Sequence, residues 1–225
     1  MTKAVFFDVD FTLIYPGPTF QGSGYQEFCG RRGIDVDPAA FDRAVAAASL
    51  TLDAGGGLYD PAIFISYTRR IIEGMGGQGD SLDAAAKDIY DEWSECGHFT
   101  MYEEVPDVLR AIHARGVKIG LISNTQRCLT SFQTHFELDG LFTVTVSSAD
   151  HGYMKPHPSI FEAALMQVGA TAEQSVMVGD SLAHDIEGAR QLGMRAVLVS
   201  RTGLPASCPP DVPVVHSLRD LLPLL

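Results

Sequence analysis

Two aspartates one residue apart, Asp8 and Asp10, with Thr12 close behind, follow the apolar run Ala4 to Phe7. Carboxylates at i and i+2 point the same way along an extended strand. Like charges gathered there are costly unless they share a cation or a proton. Further along, Ser123-Asn124-Thr125 offers a hydroxyl and backbone N–H groups which, opening a helix, could hold a phosphoryl oxygen. Lys155-Pro156 places a cation in a loop stiffened by proline, and Gly179-Asp180-Ser181 leads to Asp185. Asp180 could ligate a metal while Asp185, one turn into a helix, supports it. Each feature alone is ordinary: acids after a buried strand are commonly loop or cap residues, Ser and Asn are usual N-caps, and a lone lysine is normally solvated.

What changes their weight is the set of elements that must carry them. Short apolar runs rich in β-branched residues recur at Ala4 to Phe7, Val117 to Ile122, Thr143 to Ser147, Ser175 to Val178 and Ala196 to Val199. Continuous apolarity predicts strands buried on both faces, as in a parallel sheet. Helical stripes lie between them: Val105, Val108, Leu109 and Ile112; then Ile160, Phe161, Ala164, Leu165 and Val168; then Ile186, Ala189 and Leu192, each ended by a glycine. Alternating strand and helix predicts a doubly wound α/β sheet, and all four polar features then fall at the carboxyl ends of its strands, in one crevice. Residues 16–100 break the alternation with helical stretches at Phe41 to Leu52, Pro61 to Glu73 and Ser81 to Ser94 and no convincing strand, which predicts an α-helical insertion in a core made of residues 1–15 and 101–225. Pro205 to Pro213 reads as a loop before a last helix at Ser217 to Leu222.

The order Asp8-x-Asp10-x-Thr12, Ser123, Lys155-Pro156 and Gly179-Asp180-Ser181-x-x-x-Asp185 resembles the haloacid dehalogenase-like (HAD) hydrolase superfamily over essentially the whole chain. The insertion resembles its helical C1-type cap. The resemblance implies a Rossmann-like core and a phosphatase in which Asp8 is the nucleophile, giving an aspartyl-phosphate. It implies Mg²⁺ held by the Asp8 carboxylate, the Asp10 main-chain carbonyl and Asp180, with Asp185 ordering water beside it, and Lys155 adding positive charge. Asp10 would serve as acid and then base, its side chain off the metal. Ser123 and the Asn124 backbone would bind phosphoryl oxygens, and Thr12 would orient the loop.

Asp10 argues for phosphoryl transfer over dehalogenation, because a departing halide needs no proton. A phosphomutase on the same core is the alternative reading, and a phospho-acceptor module or a non-catalytic binding descendant follows behind it. Phe11 stands where the family often has Gly. Substrate contacts are expected from Tyr15, Arg31, Arg32, Arg69, Arg70 and the Asp53 to Leu58 loop, although adjacent arginines are commonly solvated helix faces.

Composition bounds the rest. With 16 basic and 28 acidic residues, the net charge of −12 disfavours nucleic acid and anionic membrane surfaces as partners and leaves a small phosphorylated metabolite. Cys29, Cys96, Cys128 and Cys208 lack metal or disulfide spacing, so free thiols are expected. Acids at positions 8 and 10 interrupt any signal-peptide core, and the expected location is the cytoplasm.

Overall fold

The computed structural model describes residues 1–54, 57–201, 203 and 208–225. The chain opens with β1 (Ala4–Phe7) and β2 (Ile14–Pro16), passes through α1 (Gly22–Arg31), α2 (Phe41–Ala48), α3 (Pro61–Gly74) and α4 (Leu82–Glu92), and continues into β3 (Phe99–Met101) and α5 (Val105–Ala114). Then come β4 (Lys118–Ser123), α6 (Leu129–His135), β5 (Val144–Ser147), α7 (Ser148–His151), α8 (Pro158–Val168), β6 (Ser175–Gly179), a π-helical turn Leu182–Glu187, α9 (Gly188–Gln191), β7 (Arg195–Val199) and β8 (Val214–Val215). Contacts divide it into two compact units, Met1–Tyr15 with Met101–Leu225, and Pro16–Thr100. A two-stranded sheet joins β2 and β3. Among the described residues no helix is long and apolar enough to cross a membrane.

In the first unit six parallel strands run in the order β5-β4-β1-β6-β7-β8. Alternate residues face opposite sides of a strand. One face presents Phe6, Ile122, Val146, Met177 and Leu198, and these pack with Ile160, Phe161 and Leu165 of α8 and with Ile186 and Ala189. The alternate set Val5, Phe7, Ile119, Leu121, Val176 and Val178 is equally buried, and α5 lies against β4. Helices on both faces explain why the strands read as continuous apolar runs, each buried large side chain contributing about 1.5–3 kcal/mol relative to exposure. The register sets Phe7 beside Leu121 of β4 and Val178 of β6, so Asp8, Ile122-Ser123 and Gly179-Asp180 emerge at the same edge.

The second unit is helical. Pro61 and the Asp60 cap, which accepts from Ala62 N at 2.9 Å, start α3, and α3 packs on α2 and α4. The contact with α2 needs a glycine: a Cβ on Gly74 would lie 2.8 Å from that of Ala44. Ile71, Ile72, Met75, Ala85 and Ile89 fill the centre, and Phe20 meets Trp93 at 4.4 Å between ring centroids.

Several sequence expectations change. The Phe41 to Leu52 helix stops at Ala48 and tightens into a 3₁₀ turn at Ser49–Ala54. Strands touch both ends of the insertion, since β2 includes Pro16 and β3 begins at Phe99. The helix expected directly after Ser123 starts at Leu129, leaving 124–128 as a loop. The Ile186, Ala189, Leu192 stripe is divided, with Ile186 in the π-helical turn, Ala189 in the short α9 and Leu192 just past its end, and the last helix is a 3₁₀ segment at Leu218–Leu224. Within the expected loops at Asp53 to Leu58 and Pro205 to Pro213, residues 55–56 and 205–207 lie outside the described residues.

Candidate active site

Asp8 follows β1 directly, and its amide donates to the Val178 carbonyl of β6 at 2.9 Å, so the strand pairing itself seats the residue. Against it lies Lys155, buried although lysine is normally solvated. Lys155 Nζ donates to Asp8 Oδ1 at 2.6 Å, Asp185 Oδ1 at 2.6 Å and the Ile122 carbonyl at 2.7 Å. All three ammonium hydrogens are thereby used, which is how a buried amine is satisfied. The loop carrying Lys155 is clamped by Asn124: its side-chain nitrogen donates to the Lys155 carbonyl at 2.9 Å, and its Oδ1 accepts from the Lys155 amide at 2.7 Å. The Asn124 side chain therefore braces the lysine, which leaves its backbone for a ligand.

Asp185 reaches the crevice from the π-helical turn, a geometry frequent at functional sites. Its Oδ2 accepts from the Ser181 amide at 3.0 Å. Ser181, not Asp180, caps the turn, accepting from the His184 amide, so Asp180 is not committed to capping. The approach of Asp185 requires Gly179, where a Cβ would stand 2.2 Å from Asp185 Oδ2.

Oxygen atoms of Asp8, Asp180 and Asp185 come within 4.8 Å of one another. Three carboxylates against one ammonium leave two negative charges uncompensated. Burial pushes the Asp8 carboxyl up to about 7, against the lowering pull of Lys155, and neighbouring Asp185 and Asp10 push the same way. Burial also raises Asp180 well above the usual range, with Asp8 and Asp185 adding to it. Burial works against the Lys155 ammonium, but Asp185 and Asp8 outweigh it and hold it above its ordinary value. A crowded, oxygen-only donor set that resists ionisation fits a hard divalent cation such as Mg²⁺, which would relieve the repulsion.

Asp10 is half-buried and stands apart from that trio; its Oδ1 accepts from Arg127 Nη1 at 2.9 Å. Thr12 is buried, its Oγ1 has no hydrogen-bond partner, and its carbonyl accepts from Arg201 Nη2 at 3.0 Å. Ser123 is buried at the end of β4, opposite Ser147 of β5. The residue Phe11 between Asp10 and Thr12 has φ +61° and an exposed side chain. Tyr15 lies against Tyr102 with ring centroids 4.8 Å apart and planes tilted by 44°, and the Arg201 guanidinium, paired with Glu104 at 2.8 Å, lies 3.3 Å over the Tyr102 ring.

The arginines of the insertion behave differently. Arg31 pairs with Glu27, Arg32 with Asp88, and Arg69 with Glu73 and Asp83, on solvated surfaces of the helical unit. Arg70 is exposed. The solvated-face reading therefore accounts for Arg31, Arg32 and Arg69. Sequence reasoning missed Arg127 and Arg201; the usable signal for Arg127 is its place in the loop after Ser123, where Asp10 needs a counter-charge.

Comparison with known proteins accords with this geometry. The family model of haloacid dehalogenase-like hydrolases matches residues 65–199, more than half of the chain, a span that holds Ser123, Lys155, Asp180 and Asp185 but begins after Asp8 and Asp10. The pyrophosphatase PpaX of Bacillus cereus (strain AH820) is 32% identical over 129 residues, 55% of this chain and 59% of that relative, so the match spans little more than half of the relative's length. A glyceraldehyde 3-phosphate phosphatase of Methanothermobacter thermautotrophicus is 28% identical over 221 residues, covering 89% of this chain and 86% of that one. The crystal structure of a HAD phosphatase from Thermococcus onnurineus superposes with a TM-score of 0.70 at 21% identity, covering 99% and 97% of the two chains, which shows a shared fold. The chain belongs to the haloacid dehalogenase-like hydrolase family.

Proposed function

We propose that the chain is a Mg²⁺-dependent phosphohydrolase that cleaves small phosphate monoesters through an aspartyl-phosphate on Asp8. The observation that carries this reading is the Lys155 ammonium held between Asp8 and Asp185 beside a third carboxylate, with Asp10 kept apart. Asp8, Asp180 and the Asp10 carbonyl would hold the cation, with Asp185 beside them. The cation would supply charge neutralisation for the phosphoryl group, without which a carboxylate attacks a dianion poorly.

The chain's own residues do the rest. An Asp8 oxygen attacks phosphorus as the ester P–O bond breaks, and Asp10 gives its proton to the departing oxygen. Asp10 then takes a proton from the water that attacks phosphorus, Asp8 is released, and phosphate leaves. Lys155 holds the Asp8 carboxylate in place and offsets charge on the phosphoryl group. Ser123 and the Asn124 amide bind its oxygens. In this reading residues 16–100 form the cap, and choice of ester is its task.

The named relatives act on phosphorylated compounds and support phosphoryl transfer to water as the shared chemistry. A dehalogenase has no use for a proton donor at Asp10. The test is hydrolysis of p-nitrophenyl phosphate: activity is expected to require Mg²⁺ and to fall by about a thousandfold or more in Asp8→Asn, as for loss of a nucleophile. Undiminished turnover in that variant overturns the assignment.

A further inference from the structure

Arg127 is as deeply buried as Lys155, its side chain fully shielded from solvent. It follows β4, and its loop is fixed at several points. Its amide donates to Thr125 Oγ1 at 3.0 Å, and the Thr125 carbonyl accepts from the Ala149 amide at 3.3 Å at the start of α7. From this anchored position Nη1 donates to Asp10 Oδ1 at 2.9 Å, across 117 residues of sequence. The carboxylates that cluster within 4.8 Å are those of Asp8, Asp180 and Asp185, without Asp10.

A guanidinium is costly to bury unless it is paired, and the Nη1 donor, carried on a side chain that burial holds in place, sets the direction of the carboxylate it binds. Two residues from Asp8, the Asp10 carboxylate would otherwise be free to join the trio around a cation. An acid–base group is effective only when it is held in line with the atom whose proton it moves. We propose that Arg127 is the positioning residue for Asp10: it turns the carboxylate away from the cation-holding trio and keeps it aimed at the leaving-group oxygen. This rests on the reading that Asp10 handles the leaving group's proton.

The experiment compares phenyl phosphate, whose leaving group needs a proton, with dinitrophenyl phosphate, whose leaving group does not, in wild type, Asp10→Asn, Arg127→Met, Arg127→Lys and the Asp10→Asn/Arg127→Met pair. Because hydrolysis of the aspartyl-phosphate is common to both esters and also uses Asp10, the comparison is made in kcat/KM, which reports the steps through P–O cleavage: loss of acid catalysis in Asp10→Asn is expected to cost about a hundredfold or more on phenyl phosphate and far less on dinitrophenyl phosphate. Arg127→Met is expected to reproduce that selectivity, with a loss in kcat/KM of about thirtyfold on the first ester and under about threefold on the second. The double variant is expected to be no slower than Asp10→Asn. Arg127→Lys should recover part of the loss on phenyl phosphate, and if Arg127→Met does not fold, Arg127→Lys carries the same comparison. Equal losses of kcat/KM on both esters, or an unaltered ester ratio in a folded Arg127 variant, overturns the proposal. An Asp10→Asn enzyme with no preference between the esters overturns the acid–base reading instead.

Discussion

Phe11 is the residue whose backbone and side chain disagree. At φ +61° an L-residue gives up roughly 1 kcal/mol, yet the ring remains 45% exposed and recovers little by burial. Glycine would relieve the strain and lose a similar amount through the freedom of the unfolded chain. Phe11→Gly is therefore expected to leave stability within about 1 kcal/mol of wild type in a thermal melt; a loss several times larger would show that the ring is a packing element. Gly179 is the opposite case, because its missing Cβ is what admits Asp185. Gly179→Ala should abolish most phosphatase activity while the fold survives, since only the Asp185 carboxylate and the turn carrying it need move; circular dichroism beside the assay separates the two. The departure at Phe11 is visible in the sequence, but its backbone angle is not. Gly179 reads only as part of a motif until the carboxylate behind it is seen.

The strands that build the crevice were legible because each is buried on both faces and so reads as an unbroken apolar run, with its polar residues at one end. What escaped depends on partners distant in sequence. Arg127 is marked in the sequence only by its place after Ser123, and its partner Asp10, 2.9 Å away, lies 117 residues off. The loop 124–128 replaces an expected helix start because Asn124 is spent on the Lys155 backbone. Helix α1 was not foreseen, as Gly22, Gly24 and Gly30 dilute its pattern. That helix buries Cys29 and Tyr25, and burial pushes the Cys29 thiol up to about 11 and raises the Tyr25 phenol as well. A folded-state value above the unfolded one gives stability that is whole below the ordinary thiol range and is lost as pH rises through about 11. Thermal stability is expected to fall between about pH 9 and 11, by up to roughly 2–3 kcal/mol from Cys29 alone, and Cys29→Ala should flatten that slope. An equally steep decline in Cys29→Ala would assign it to other groups.

Across the whole chain the charge of −12 looks hostile to phosphate, yet four of the 28 acids, Asp8, Asp10, Asp180 and Asp185, belong to the crevice. Under the proposed function that excess of negative charge would recruit a cation, and cation plus Lys155 would make a phosphate site of an acidic cluster. A cation bound only by the folded chain adds stability by mass action: Mg²⁺ at about a hundred times its Kd should add about 2.7 kcal/mol to unfolding, and Asp180→Asn should remove most of that increment. A Mg²⁺-independent melt in wild type would contradict the cation site. Nucleophilic attack by Asp8 is the claim on which the rest depends. Its most direct test is to quench the enzyme in acid during turnover of an aryl phosphate with Mg²⁺, reduce any acyl phosphate with borohydride, and map the peptides by mass spectrometry. Homoserine is expected at position 8 and nowhere else; turnover without modification at position 8, or with modification at another carboxylate, would contradict an Asp8 nucleophile.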